Sequence, residues 1–234
     1  MSTESKPVGG IGGAIQAFFG DLDDFNGPRL ALVPGFADWT EEQWAEHDAK
    51  IAVQREEAAR DRAYTLSLFV KAGWPVRALE ASAIADTSKP AIVRIATWNP
   101  ADECVLVLSG PPGCGKTTAA AHWALKRGRA PAFLRATTFA ASSRYDHEQR
   151  DGWLNASALV LDDLGSEYAD AKGNFLVNLD ELVDTFYGDK RPLLITTNCT
   201  SADFKSRYGQ RVVDRIRECG SWFSLTSESL RKKS

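Results

Sequence analysis

At 234 residues, 44% hydrophobic and 25% charged, the chain has the length and composition of a globular protein with one substantial core and room for a smaller extension. No apolar run approaches the roughly 20 residues that span a bilayer, and the N-terminus lacks the features of a secretory signal. No membrane is expected, and the cytoplasm is the expected location. The formal net charge of −3 excludes a uniformly basic surface, but the charge is unevenly placed: the first fifty residues are acidic, with only Lys6, Arg29 and Lys50 opposing nine acids. From Ser201 onward Lys205, Arg207, Arg211, Arg215, Arg217, Arg231, Lys232 and Lys233 outnumber the acids, so this end suits phosphates.

Residues 1 to about 38 are rich in Gly, Asp and Pro, with brief apolar clusters, and read as loosely structured. Thr40 with Gln43 three positions on forms a capping box, and no Gly or Pro follows until Gly73. This predicts a long helix ending near Ala72. Trp44, Ile51, Ala52, Ala59, Ala63, Leu66 and Val70 recur along it at helical intervals, as in a packing helix or a docking arm for a partner. The division expected is an N-terminal extension over 1–73 and a core over 74–234.

Between Trp74 and Asp102 a connector feeds a short helix, after which strands and helices alternate. Strands are predicted at Cys104–Leu108, Ala132–Ala136, Leu159–Leu161, Pro192–Thr197 and Trp222–Leu225, and helices at Lys116–Arg127 and Gly173–Tyr187. Such alternation implies an α/β fold, a mainly parallel sheet between helices with its ligand at the carboxyl ends of the strands. Cys104, Cys114, Cys199 and Cys219 show no C-x-x-C spacing and have no nearby histidine, so reduced thiols are expected.

The segment LVLSGPPGCGKTTAA, from Leu106 to Ala120, matches G-x-x-x-x-G-K-[ST] between a strand and a helix. The cradle comprises Gly110, Pro111, Pro112, Gly113, Cys114, Gly115, Lys116, Thr117 and Thr118. Its glycines let backbone N–H groups turn inward around a phosphate at the helix N-terminus. Lys116 supplies a cation for the β- and γ-phosphates of ATP, and Thr117 a hydroxyl for Mg²⁺. In LVLDDLG, Asp162 is placed to hold the metal and Asp163 to orient or deprotonate water. In RPLLITTN, Asn198 can bond that water or the γ-phosphate. Cys114 reads as a small tolerated residue rather than a redox switch, and no chemistry is assigned to His122 or His147.

GPPGCGKT, LVLDDLG followed by Ser166 and Glu167, RPLLITTN and YGQRVVDRIRE occur in the order that resembles the AAA+ ATPases of the DnaC and IstB group. These are helicase loaders and transposition helpers. The resemblance runs from about Trp74 to Arg231 and implies a P-loop NTPase core of the AAA+ kind beside a helical N-terminal extension. It implies that Arg215 is an arginine finger reaching the nucleotide of a neighbouring subunit, with Arg211 as its rival, and hence a homo-oligomer. Two departures stand out: Asp163 replaces the more usual glutamate, so slow hydrolysis is expected, and the chain ends at Ser234 where a C-terminal lid would follow.

The resemblance also implies single-stranded DNA contacts, for which Phe139, Arg144, Tyr145, Tyr168 and Lys172 combine aromatic faces with charge. The function expected is an ATP-dependent helicase loader binding a replicative hexameric helicase and single-stranded DNA. The alternatives are an IstB-like helper that binds duplex DNA and a transposase, and an ATP-binding adaptor with negligible turnover. A small-molecule P-loop kinase is the weakest reading.

Overall fold

The computed structural model describes residues 39–127, 129–142, 147–167 and 174–226. Helix α1 spans Glu41–Lys71 and begins as the capping box requires. The Thr40 Oγ1 accepts from the Gln43 N–H at 3.3 Å, and the Gln43 Oε1 accepts from the Thr40 N–H at 2.8 Å. Glu41 and Glu42 in the first turn and Lys71 in the last complement the helix dipole.

Among the described residues, full burial along this helix is confined to its C-terminal end, while Trp44 and His47 near its start pack against Trp39. Leu66 and Phe69 are buried, whereas Val53 and Tyr64 stand in solvent. The packing face therefore runs through Leu66 and Phe69 rather than Leu66 and Val70, because Val70 points outward at 39% exposure. Upstream, the exposed helix carries Glu46–Lys50 and Glu56–Arg60 pairs one turn apart, each at 2.7 Å.

The chain leaves α1 against the first edge of the sheet. The Phe133 N–H donates to the Ala72 carbonyl at 2.8 Å, and the buried Trp74 donates through Nε1 to the Pro131 carbonyl at 2.7 Å. Two short helices follow, α2 (Val76–Ala83) and α3 (Pro90–Thr97), where the sequence suggested one. The break falls at Asp86, whose carboxylate accepts from the Ser88 N–H and hydroxyl, just ahead of Pro90.

The remaining elements are β1 (Val105–Ser109), α4 (Lys116–Lys126), β2 (Ala132–Arg135), α5 (Ala136–Ala141), α6 (His147–Leu154) and β3 (Leu159–Leu164). After them come α7 (Asn174–Gly188), β4 (Leu193–Thr197), α8 (Ser201–Tyr208), α9 (Gln210–Cys219) and β5 (Gly220–Ser224). The strands form one sheet in the order β2-β3-β4-β1-β5, and every pairing is parallel. Parallel strands covered on both faces need apolar side chains, which explains the runs LVL of β3 and LLI of β4 ahead of their polar carboxyl ends.

Alternate strand residues feed two cores. Leu106, Leu108, Val160 and Leu194 pack with α2, α3, α4 and the end of α1. Val105, Val107, Leu159, Leu161, Leu193 and Ile195 pack with α5, α7, α8 and α9. Strand β5 begins two residues earlier than its aromatic pair suggested. Gly220 makes this pairing feasible: a Cβ there would lie 2.1 Å from the Val105 carbonyl oxygen. Among the described residues no helix is long and apolar enough to cross a membrane.

Candidate nucleotide site

The carboxyl ends of β1, β3 and β4 lie side by side, and each delivers part of the predicted site. After β1 the loop turns through Gly113 (φ 85°) and Gly115 (φ 91°), left-handed backbone that a side chain would strain, and Gly115 caps α4. Lys116 is buried at 7% exposure. Its Nζ donates to the Gly110 carbonyl at 2.6 Å, the Pro111 carbonyl at 2.9 Å and the Asn198 Oδ1 at 2.8 Å. The cation is thus held over the loop by neutral acceptors, which an anionic phosphate can displace.

Strand β3 runs further than the sequence suggested, to Leu164, because a register irregularity between Leu161 and Leu164 carries both acids past the apolar run. Asp162 is 6% exposed, and its Oδ1 accepts from the Thr117 hydroxyl at 2.9 Å and the Thr196 hydroxyl at 2.8 Å. Burial raises the Asp162 pKa above the ordinary carboxylate value; the two hydroxyl bonds oppose this, the Asp163 charge adds to it, and Arg135 opposes it. Arg135 stands opposite Asp162 in the β2–β3 register, a cationic neighbour that the sequence reading missed.

Asp163 has a left-handed backbone, φ 59°, an unusual conformation for a residue other than glycine. Its N–H donates to the Thr196 Oγ1 at 2.8 Å, and its Oδ1 accepts from the Asn198 Nδ2 at 2.9 Å. Asn198 therefore joins Lys116 on one side to Asp163 on the other. Thr196, also missed from sequence, fixes both acids: its hydroxyl donates to Asp162 and accepts from the Asp163 backbone. Two hydroxyls at the end of a buried strand were the available signal, because such groups must find partners there.

Thr117 and Asp162 supply hard oxygen donors, which suit Mg²⁺ shared with phosphate oxygens and water. Among the described residues no cluster of three or more His, Cys, Asp or Glu could hold a metal by itself.

Arg215 and Arg211 do not bond to this cluster. Arg215 Nε donates to Asp184 Oδ1 on α7, and Arg211 reaches Asp184 at 3.3 Å and Asp180 at 3.2 Å. Phe139 requires a correction. It is 3% exposed, with its ring against Trp153 and Phe175, so it fills the core and offers no face for a base. Arg144, Tyr145, Tyr168 and Lys172 lie outside the described residues.

A wholly parallel five-stranded sheet, with a phosphate loop after β1, paired acids at the end of β3 and an asparagine after β4, defines an α/β fold of the P-loop nucleotide-binding kind. Within that class the particular likeness is to the DnaC helicase loaders. The chain is 27% identical over 139 residues to the replicative helicase loader DnaC of Escherichia coli K12, covering 54% of this chain and 56% of the loader. The DnaC of Shigella flexneri aligns to the same extent. The chain thus spans about half the length of the curated relatives it matches.

A solved structure from Streptococcus pyogenes serotype M3, described as a candidate primosome component, superposes with a TM-score of 0.50 at 21% identity, over 65% of this chain and 91% of its own. A crystal structure of the DnaC helicase loader gives 0.49 at 27% identity, over 58% and 86% respectively. No family model matches the chain.

Proposed function

We propose that this protein is an ATP-dependent accessory of DNA replication of the helicase-loader type, in which bound ATP favours holding a replicative helicase and single-stranded DNA and hydrolysis favours release. The observation that carries the reading is the chain Lys116–Asn198–Asp163, through which the phosphate loop and two strand ends share one hydrogen-bond path. On binding of ATP, Lys116 exchanges carbonyl oxygens for the β- and γ-phosphates, which frees the Asn198 Oδ1. The same asparagine keeps its grip on Asp163, the group positioned to orient water. Thr117 and Asp162 would hold Mg²⁺, which would supply positive charge against the phosphoryl group passed to water.

Because Asp163 is one methylene shorter than glutamate and already accepts a bond from Asn198, turnover is expected to be slow. Arg215 is assigned to the nucleotide of a neighbouring copy, which makes the active form an oligomer. The similarity to DnaC supports a helicase as partner.

The test is ATP hydrolysis by the purified protein with and without single-stranded DNA, for wild type and Arg215→Ala. Stimulation by DNA, specific activity that rises with protein concentration, and loss of both in the variant are expected. A variant that hydrolyses like wild type removes the arginine from the site. Co-purification with a replicative helicase from the same source is expected when ATP is present, and capture of a transposase instead would move the assignment to the transposition helpers.

A further inference from the structure

Among the described residues, the proposed chemistry leaves one buried carboxyl group without a role. The Glu167 side chain is 1% exposed, and burying a carboxylate is expensive unless it is paired and hydrogen-bonded. Its Oε2 accepts from the Gly165 N–H at 2.7 Å; its Oε1 accepts from the Tyr208 hydroxyl at 2.7 Å and pairs with the Arg207 guanidinium at 2.8 Å. Arg207 also donates to the Glu167 carbonyl at 2.7 Å.

These bonds join two places that matter to the site. On one side is the turn that starts at Asp163, where the Asp163 carbonyl accepts from the Ser166 N–H at 3.1 Å and the Ser166 hydroxyl at 2.7 Å. On the other are the last two residues of α8. Only Gly209, with φ 86°, separates them from α9, which carries Arg211 and Arg215. The Tyr208 ring is itself wedged against Phe204 at 4.6 Å and Phe175 at 6.3 Å, so its hydroxyl has little freedom to seek another partner.

We propose that Glu167 is a positioning residue that fastens the Asp163 turn to the α8–α9 corner, so that the water-orienting acid and the arginine helix move as one unit. The proposal rests on the nucleotide-hydrolysis reading for its consequence, but its mechanical content stands apart. Glutamate is required rather than glutamine. An amide has one acceptor oxygen, so it would satisfy either Gly165 or the Tyr208–Arg207 pair and turn its NH₂ against the other donors.

The experiment compares wild type, Glu167→Gln, Tyr208→Phe and the double variant. Tyr208→Phe keeps the ring and both arginine bonds, and guards against a folding defect in the glutamate variant. Expected are kcat values down about tenfold for Glu167→Gln and about threefold for Tyr208→Phe, with ATP dissociation constants within about twofold of wild type. The double variant should be no slower than Glu167→Gln alone, because both changes cut one shared link. Multiplying effects, an unchanged kcat in Glu167→Gln, or losses that track affinity would overturn the proposal.

Hydrogen exchange without nucleotide decides it independently. Glu167→Gln should raise exchange both at 163–167 and at the start of α9, by about fivefold or more. A rise confined to 163–167 would overturn it. Absence of ATP turnover in wild type would instead strike the hydrolysis reading, and the exchange result would still stand.

Discussion

Thr196 shows how much of the site rests on groups that never touch a phosphate. Its hydroxyl is the shared partner of both acids, and at 1% exposure it has no water to fall back on. Thr196→Val keeps the shape but leaves the Asp163 N–H without an acceptor. The expected loss is about 1–3 kcal/mol, measured as a lower midpoint in urea denaturation with unchanged slope. The residues proposed to hold phosphate or metal stood out in the sequence because that chemistry demands particular types at particular spacings. Thr196, Arg135 and Glu167 were not, since a threonine at a strand end, an arginine on a neighbouring strand and a glutamate in a turn acquire roles only when the sheet brings them together. Phe139 is the converse: it reads as an exposed stacking ring beside charged residues, yet the α5 turn points it into the core.

At the scale of elements, α1 divides into two regimes. Removing the cap with Thr40→Ala weakens the helix start by about 1 kcal/mol. Among the described residues that end contributes no buried side chain to either core, so the loss should appear as faster amide exchange over the first turns with the global melting midpoint unmoved. Phe69→Ala, by contrast, empties a site at 1% exposure and should cost about 3–5 kcal/mol of global stability. A midpoint that falls equally in both variants would contradict this division.

The capping box and the Gly73–Pro75 stop made the length of α1 readable, but its weak segregation of polar and apolar residues hid which turn is packed. The strands β1, β3 and β4 were readable from their apolar runs, and β2 and β5 from shorter apolar clusters. α5, α6 and α8 were not, because each is at most eight residues long and lacks enough periodic apolar positions to stand out. The extension of β3 escaped notice for a different reason: a bulge has no signature in hydropathy, and here it sets the backbone of Asp163.

At the scale of the whole molecule, Arg211 and Arg215 of α9 are held within their own chain. Arg215 bonds to Asp184, which lowers the Asp184 carboxyl pKa chiefly through that bond. The pair is partly exposed, and ion pairs of this kind contribute only about 0–1 kcal/mol, so a neighbouring nucleotide can draw the arginine away at small cost. Under the proposed loader reading, assembly and nucleotide occupancy would then be linked. The bonds that would carry such a link run from Lys116 through Asn198 to Asp163, and from the Gly165 turn through Glu167 to Arg207 and Tyr208 at the end of α8.

The most direct test of this account is a paired measurement of Mg·ATP binding and ATP turnover for wild type, Lys116→Ala and Asp163→Asn. The account predicts that Lys116→Ala loses both, with affinity down by about tenfold or more, and that Asp163→Asn binds as wild type does while turnover falls by about 10²-fold or more. Wild-type turnover in Asp163→Asn, or wild-type affinity in Lys116→Ala, would contradict it.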